Sequence, residues 1–356
     1  MGGNIRNQNT QSIHSSSKSF TSLLQKQIAV FCIGLGLLIS CQHSSPPSEK
    51  KDIPKPLPNE YPHLGQQLTF IGNNEAPQFS PDGRSIIFAS SRRELHTNSQ
   101  IYELSLDTNK EKRITYQDGD CSSPIYTLDG KKIIYASTTD ELKERPALLY
   151  VSTRRSSLPP SELYLSDLMG NEISRLTNQN GFQGQPSWIE SRPPSLLFLS
   201  HMTGQMSLHK ADAPYLKSSP LFNRDKMISS AISSASTLVW IEHPENSEEM
   251  SILTKRKDKI DSLTLPVAKY QGLTWLDSKE EIILFSSDLK ISKINTIYAY
   301  HLKKSCLIPL VESTQSLTDP RPSPDRKKLL YTAQLSNGTK QLFLKEMDLT
   351  NVNCPQ

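Results

Sequence analysis

Six imperfect copies of one unit, an apolar run after a turn in each copy, and a lone strand ahead of the first copy that supplies what the last one lacks predict an all-β chain. The architecture they imply is a six-bladed β-propeller of four-stranded antiparallel blades, closed by the N-terminal strand. "PQFSPDGRSIIFAS" from Pro77 is echoed by "SPIYTLDGKKIIYAS" from Ser123 and by "RPSPDRKKLLYTA" from Arg321. "QPSWIESRPPSLLFLS" from Gln185 and "LTWLDSKEEIILFSS" from Leu273 keep the aromatic, the turn and the apolar run, and "SSASTLVWIE" from Ser233 is the faintest copy. Asp82 and Asp325 lie 243 residues and five intervals apart, a mean period of about 49, in the range of propeller blades and longer than a leucine-rich or ankyrin unit.

Each unit has an inner order. The Asp-Gly pairs at Asp82 and Asp129 turn the first strand into the second, because Gly accepts positive φ and Asp bonds its own backbone. A polar loop follows, then a third strand such as "QIYELSLD", "ELYLSDLMG", "TIYAYHL" or "QLFLKEMDL", and a short fourth such as "EKRITYQ", "ISRLTNQ" or "SLTLPVA". "QQLTFIG", Gln66 to Gly72, is a fourth strand with no blade before it, and the last unit ends after its third strand at Leu349. Pairing the two fragments closes a ring and removes two exposed sheet edges. The expected layout is a signal peptide over 1–40, an anchor Cys and Pro-rich tether over 41–64, the propeller over 65–350 and a tail over 351–356.

The pattern P-x-F-S-P-D-G-x-x-I-I-F-x-S, followed by I-Y-x-x-x-x-D and R-I-T, resembles the WD-like repeat of the TolB family, the periplasmic component of the Tol-Pal envelope system. The resemblance spans roughly residues 65 to 350, strongest in the first two units and weakest in the fourth. Where that family carries an N-terminal α/β domain, this sequence has a lipobox-like segment and a Pro-rich stretch. The resemblance implies the fold and a role in binding an envelope protein or peptide.

The first forty residues hold Arg6, Lys18 and Lys26 and no acid. "IAVFCIGLGLLISC", Ile28 to Cys41, suits a secretory h-region and falls short of the roughly 20 residues of a spanning helix. Leu38-Ile39-Ser40-Cys41 resembles the bacterial lipobox, which implies lipidation of Cys41, and Gln42 after it resembles the outer-membrane sorting pattern. The long polar stretch before the h-region leaves the translation start open. Six prolines between Pro46 and Pro62 favour an extended tether. A lipid-anchored monomer on the periplasmic face of the outer membrane is expected.

Of 40 Lys and Arg against 36 Asp and Glu, three bases belong to the first forty residues, so the body is nearly neutral. It lacks the basic footprint that binding a phosphate backbone needs, and nucleic acid is excluded as a partner. No G-x-S-x-G elbow, H-E-x-x-H helix, C-x-x-C pair or P-loop occurs, and the repeats leave no room for a hydrolase domain. The expectation is a propeller without catalysis of its own and without a cofactor. His209 in "MSLHKAD" takes the place of Tyr102 in "QIYELSLD", a packed strand position, and whether any metal binds stays open. Beyond Cys41 the mature chain keeps Cys121, Cys306 and Cys354; a pair such as Cys306 with Cys354 is conceivable, but spacing sets no connectivity.

Binding function is expected on loops. Connections from each fourth strand to the next first strand, and from second to third strands, share one face around the channel. They carry Glu75, Arg92, Arg93, Asp118, Asp120, Phe182 and Gln183 as candidate binding residues. Glu75 and Asp120 are the best placed to hold a cation or the basic end of a peptide. A long insertion, Thr138 to Ser161, lies on the same face, where it would dock a partner, cover the channel or form an extra hairpin on the rim. The rival reading is a propeller-type glycan lyase or hydrolase using channel carboxylates.

Overall fold

The computed structural model describes residues 60–140, 158–202, 205–244, 249–279, 281–291 and 294–354. The signal segment, Cys41, most of the tether and residues 141–157 of the insertion lie outside the described residues. A 3-10 turn, Pro62–Leu64, leads into β1 (Gln66–Gln67). Antiparallel meanders follow. The first is β2 (Asn73–Phe79), β3 (Ser85–Ser91), β4 (Gln100–Ser105) and β5 (Glu111–Arg113). The second is β6 (Cys121–Tyr126), β7 (Lys132–Ser137), β8 (Glu162–Asp167) and β9 (Ser174–Arg175). Next come β10 (Phe182–Ile189), β11 (Ser195–Met202), β12 (Gln205–Asp212) and β13 (Ser218–Arg224), then β14 (Met227–Ser233), β15 (Leu238–His243), β16 (Ser251–Arg256) and β17 (Lys259–Ser262). The chain continues through β18 (Tyr270–Asp277), β19 (Ile282–Ile291), β20 (Ile294–His301) and β21 (Cys306–Val311), and ends with β22 (Ser316–Pro322), β23 (Lys328–Gln334) and β24 (Lys340–Glu346).

Among the described residues these strands form four sheets of four strands and one of eight. The larger sheet is two meanders, β10 to β13 and β14 to β17, joined by one parallel bridge between Ile189 and Ser233. Second strands are buried on both faces, which is why they read as continuous apolar runs: Ile86, Ile87 and Phe88 are all inaccessible. Apolar clusters fill the space between successive meanders. Ile87 and Ile101 meet Ile133 and Tyr135; Ile134 and Leu163 meet Leu196 and Phe198. Leu197 and Leu208 meet Ile228 and Trp240; Val239 and Ile241 meet Ile283 and Phe285; Leu284 and Ile297 meet Leu329 and Tyr331. A sixth cluster joins Leu330 and Leu342 of the last meander to Ile86 and Phe88 of the first. Each such side chain contributes roughly 1.5–3 kcal/mol on burial, so every sheet is stabilised from both sides.

The two ends of the chain latch the last sheet. β1 pairs antiparallel with β24, Gln66 opposite Leu344 and Gln67 opposite Phe343, and Leu68 N–H donates to Leu342 O at 2.8 Å. At the other end a Cys306–Cys354 disulfide, Cα to Cα 6.0 Å, ties the tail to β21. The folded body also takes in Leu64, which is fully buried and whose carbonyl accepts a hydrogen bond from Tyr331 Oη.

The fourth strands β5 and β9 are shorter than the repeats suggest and β1 stops at Gln67 rather than running to Gly72, whereas β13 and β21 run to 7 and 6 residues. A threonine explains this. In "RIT" the Thr115 hydroxyl accepts the Ile101 N–H at 2.8 Å and donates to Gln100 Oε1 at 2.9 Å, so a side chain replaces the ladder. Thr177 accepts the Leu163 N–H at 2.9 Å, and Thr69 accepts the Leu342 N–H at 2.9 Å while donating to Gln341 at 2.8 Å. The residue two places earlier closes the motif: Arg113, Arg175 and Gln67 each donate to the carbonyl of that Thr, at 2.6, 2.9 and 2.8 Å. Turns between first and second strands are fixed the same way three times. Asp82, Asp129 and Asp325 each accept a hydroxyl, from Ser80, Thr127 and Ser323, and the backbone N–H two residues on. These hydrogen bonds hold the three carboxyls below the usual carboxylate range.

Candidate functional site

The first strand of every meander carries a β-bulge. In four of them the bulge holds a non-glycine residue at left-handed φ just before a proline: Ala76 (51°), Ser123 (49°), Gln185 (50°) and Asp319 (54°). Proline bars the preceding residue from the right-handed helical region, and the left-handed alternative costs roughly 1–2 kcal/mol per residue. In β18 Gly272 takes the position at φ 70°, where an added Cβ would lie 2.9 Å from Asp319 N. Two residues beyond these bulges stand Gln78, Ile125, Ser187, Thr274 and Arg321, and all five line one cavity.

That cavity has a volume of about 730 Å³ and is lined by β2, β6, β10, β14, β18 and β22 together. It runs from Met250 and Lys269 at one end to Pro81, Leu128 and Pro324 at the other. Its charged side chains are Glu190, Lys269, Asp319 and Arg321. Arg321 Nη1 donates to Pro320 O at 2.8 Å and to Gly272 O at 3.4 Å, while its buried Nε has no partner. Burial pulls the guanidinium below its ordinary value, with nearby Asp319 opposing. Ser229 Oγ and Trp275 Nε1, on residues lining the same cavity, are also buried without a partner. Trp188 differs, its Nε1 donating to Tyr126 O at 2.9 Å.

The seven residues expected at the mouth lie elsewhere than this lining. Glu75 pairs with Lys340 at 2.7 Å across the closing seam. Arg93 is committed to structure: it donates to Ser90 at 2.6 Å, Asn74 at 3.1 Å and Glu111 at 2.8 Å, and lies over the Tyr102 ring. Arg92 is exposed at φ 54° in the β3–β4 connection. Asp120 Oδ1 accepts the Ser99 N–H at 2.7 Å, and Asp118 offers its carbonyl to Asn98. Phe182 packs between the third and fourth meanders, and Gln183 is fully buried with both amide atoms unpartnered. His209 sits between Ser207 and Ser218 and against Phe198, a packed strand position whose burial holds its pKa low. Among the described residues no cluster of three His, Cys, Asp or Glu suits a metal. Sequence reasoning missed Arg321. Its signal was available, since "DPRPSPD" puts a cation where the aligned repeats have Gln78, Ile125 and Ser187.

No protein-family model matches the sequence, and no curated protein sequence does either. Solved structures match it by shape. The tricorn protease aligns over 81% of this chain and 27% of its own, with TM-score 0.55 and 13% identity. TolB from Acinetobacter baumannii aligns over 70% of this chain and 56% of its own, at 0.50 and 14%. An oligogalacturonate lyase from Vibrio parahaemolyticus aligns over 79% of both chains, at 0.51 and 11%. The fold is a β-propeller. This propeller chain spans about a quarter of the tricorn protease and just over half of that TolB. At such identities the likeness concerns the fold, and function has to be argued from the site.

One expectation is corrected by these matches. Catalysis was excluded on missing motifs and missing room, yet two of the three propellers are enzymes, a protease and a lyase. Propellers of this shape occur in enzymes, so the missing hydrolase signatures do not make this one inert. Among the described residues no helix is long and apolar enough to cross a membrane.

Proposed function

We propose that the protein is a six-bladed propeller of the cell envelope that binds an extended protein or peptide segment in its central cavity. Lipid on Cys41 would hold it at the periplasmic face of the outer membrane, and the segments carrying Glu75, Arg92, Asp118 and Asp120 would meet the partner's body. The observation that carries the binding reading is a cavity built from the first strands of all six meanders, lined by Arg321 and by polar side chains such as Gln78, Ser187 and Thr274. The Cys306–Cys354 disulfide supports an oxidising compartment. A photo-crosslinker at Gln78, used in living cells, should trap one envelope protein; absence of any adduct in the envelope fraction would overturn the reading. Mass spectrometry of the mature N-terminus tests the lipid on Cys41.

A second reading, an enzyme acting on a glycan, is favoured by Glu190 and Asp319 in the same cavity. Turnover of a polyuronate that disappears in Asp319→Asn would establish it.

A further inference from the structure

We propose that the cavity contains a carboxylate-binding subsite at Arg321, whose occupant is the C-terminal carboxylate of a peptide. The proposal rests on the peptide-binding reading above and names the chemistry that reading leaves open.

Arg321 is placed by the β22 bulge, two residues beyond Asp319, and is braced against β18 by Gly272 O. Those carbonyl contacts use Nη1 alone. Among the described residues Arg321 forms no salt bridge, although Asp319 is near enough to favour its charge. Asp319, the nearest acid in sequence, accepts a hydrogen bond from Thr318 Oγ1 at 3.1 Å. Arg321 is half-buried, its guanidinium keeps its proton and only Asp319 offsets the charge, so an anion entering the cavity would be stabilised beside it. Carboxylate fits the planar fork of donors. Trp275, three residues beyond Gly272 on β18, and Ser229 on β14 line the same cavity, their Nε1 and Oγ buried.

The lining selects among carboxylates. Pro81, Pro124, Pro186, Pro322 and Pro324 offer no N–H, and Ile125, Ala231 and Leu273 stand beside them. The same cavity presents Gln78, Gln271 and Thr274, whose amide and hydroxyl groups can meet the backbone amides of a few peptide residues. A volume of about 730 Å³ falls within the roughly 300–1,000 Å³ of small-ligand pockets, room for a few peptide residues.

The test uses full-length protein and a pool of N-acetylated tripeptides made both as free acids and as C-terminal amides, with digalacturonate as a third probe. Affinity selection and titration calorimetry should show the acids binding at least about tenfold tighter than the amides, the size expected for a charge-assisted pair. In Arg321→Gln that ratio should fall to near one with amide binding unchanged, and Arg321→Lys should restore part of it. The unchanged amide arm separates lost recognition from lost folding. Equal binding of acids and amides by the wild type would overturn the subsite and leave the peptide reading standing. Failure of every tripeptide to bind would overturn both. Digalacturonate binding without peptide-acid binding would overturn the proposal in favour of the glycan reading.

Discussion

At the closing seam Gln341 Oε1 accepts hydrogen bonds from Thr69 Oγ1 and Asn74 Nδ2, both at 2.8 Å, and its Nε2 donates to Gly72 O at 2.9 Å. At the cavity wall Arg321 Nε, Trp275 Nε1 and Ser229 Oγ find nothing. Both regions are buried in part and polar, and both are built on the same repeated strands. Satisfied groups at the seam fix one sheet against the next, whereas at the wall Arg321 gives only Nη1 to backbone carbonyls and so can still bind from the cavity. The difference separates what stabilises the ring from what the ring presents.

The largest expected effect comes from breaking the seam. Gln341→Leu orphans the Thr69 hydroxyl hydrogen, the Asn74 amide and the Gly72 carbonyl, at roughly 1–3 kcal/mol each, for a loss of roughly 4 kcal/mol in urea denaturation. A loss below about 1 kcal/mol would mean the seam is held by apolar contacts alone. Next comes the covalent latch: Cys354→Ser should cost roughly 3 kcal/mol, as for a typical disulfide, and wild type under reducing agent should match it.

Glu162 sharpens the comparison, because it is a seam residue with a wall-like defect. It stands where Gln100 and Gln341 stand, accepts the Gln179 N–H at 2.6 Å and Arg175 at 3.3 Å, and leaves Oε2 buried without a partner. Desolvation raises its pKa above the ordinary glutamate range despite Thr177, Gln179 and Arg175. A raised folded pKa means the contribution to stability is fully present below the unfolded pKa and is lost as pH rises through the folded one. Glu162→Gln should therefore match wild type at low pH and exceed it by roughly 1 kcal/mol near neutrality, its new amide facing the carbonyls of Gln179 and Gly181 as Gln100 faces those of Gln117 and Gly119. Denaturation curves across that pH range decide it; a deficit for the variant at neutral pH would show that the Arg175 contact outweighs the bare oxygen. The smallest effect is expected at the wall. Arg321→Met keeps the side-chain bulk, and the loss of the bonds to the Pro320 and Gly272 carbonyls should be offset by removal of a poorly compensated charge, leaving stability within about 1 kcal/mol of wild type. A loss above about 2 kcal/mol would recast Arg321 as a strut.

Much of the fold was legible because each part has a local chemical cause. Asp82, Asp129 and Asp325 announce turns through hydroxyl partners two residues earlier, and the runs around Phe88, Tyr135 and Tyr331 announce strands buried on both faces. "RIT" was visible as a motif, but its meaning was not, since the Thr partner lies 15 residues away on β4. The cavity was less legible still. Glu75, which lies on β2 rather than on a loop, and Arg93 in the β3–β4 connection stood out by charge, yet Lys340 and Glu111 occupy them, and those pairings depend on three-dimensional neighbours 265 and 18 residues distant. Arg321 went unnoticed because it lies inside a repeat rather than on a loop.

The short ladder between β1 and β24 has a mechanical consequence. Tension on the chain ahead of Glu60 is delivered at Leu64 and Gln66, the outer edge of the last sheet, and acts on two residue pairs in sequence rather than on many at once. Under load the ring would unzip there before any other strand slid, while the Cys306–Cys354 disulfide would still hold the C-terminal tail to β21.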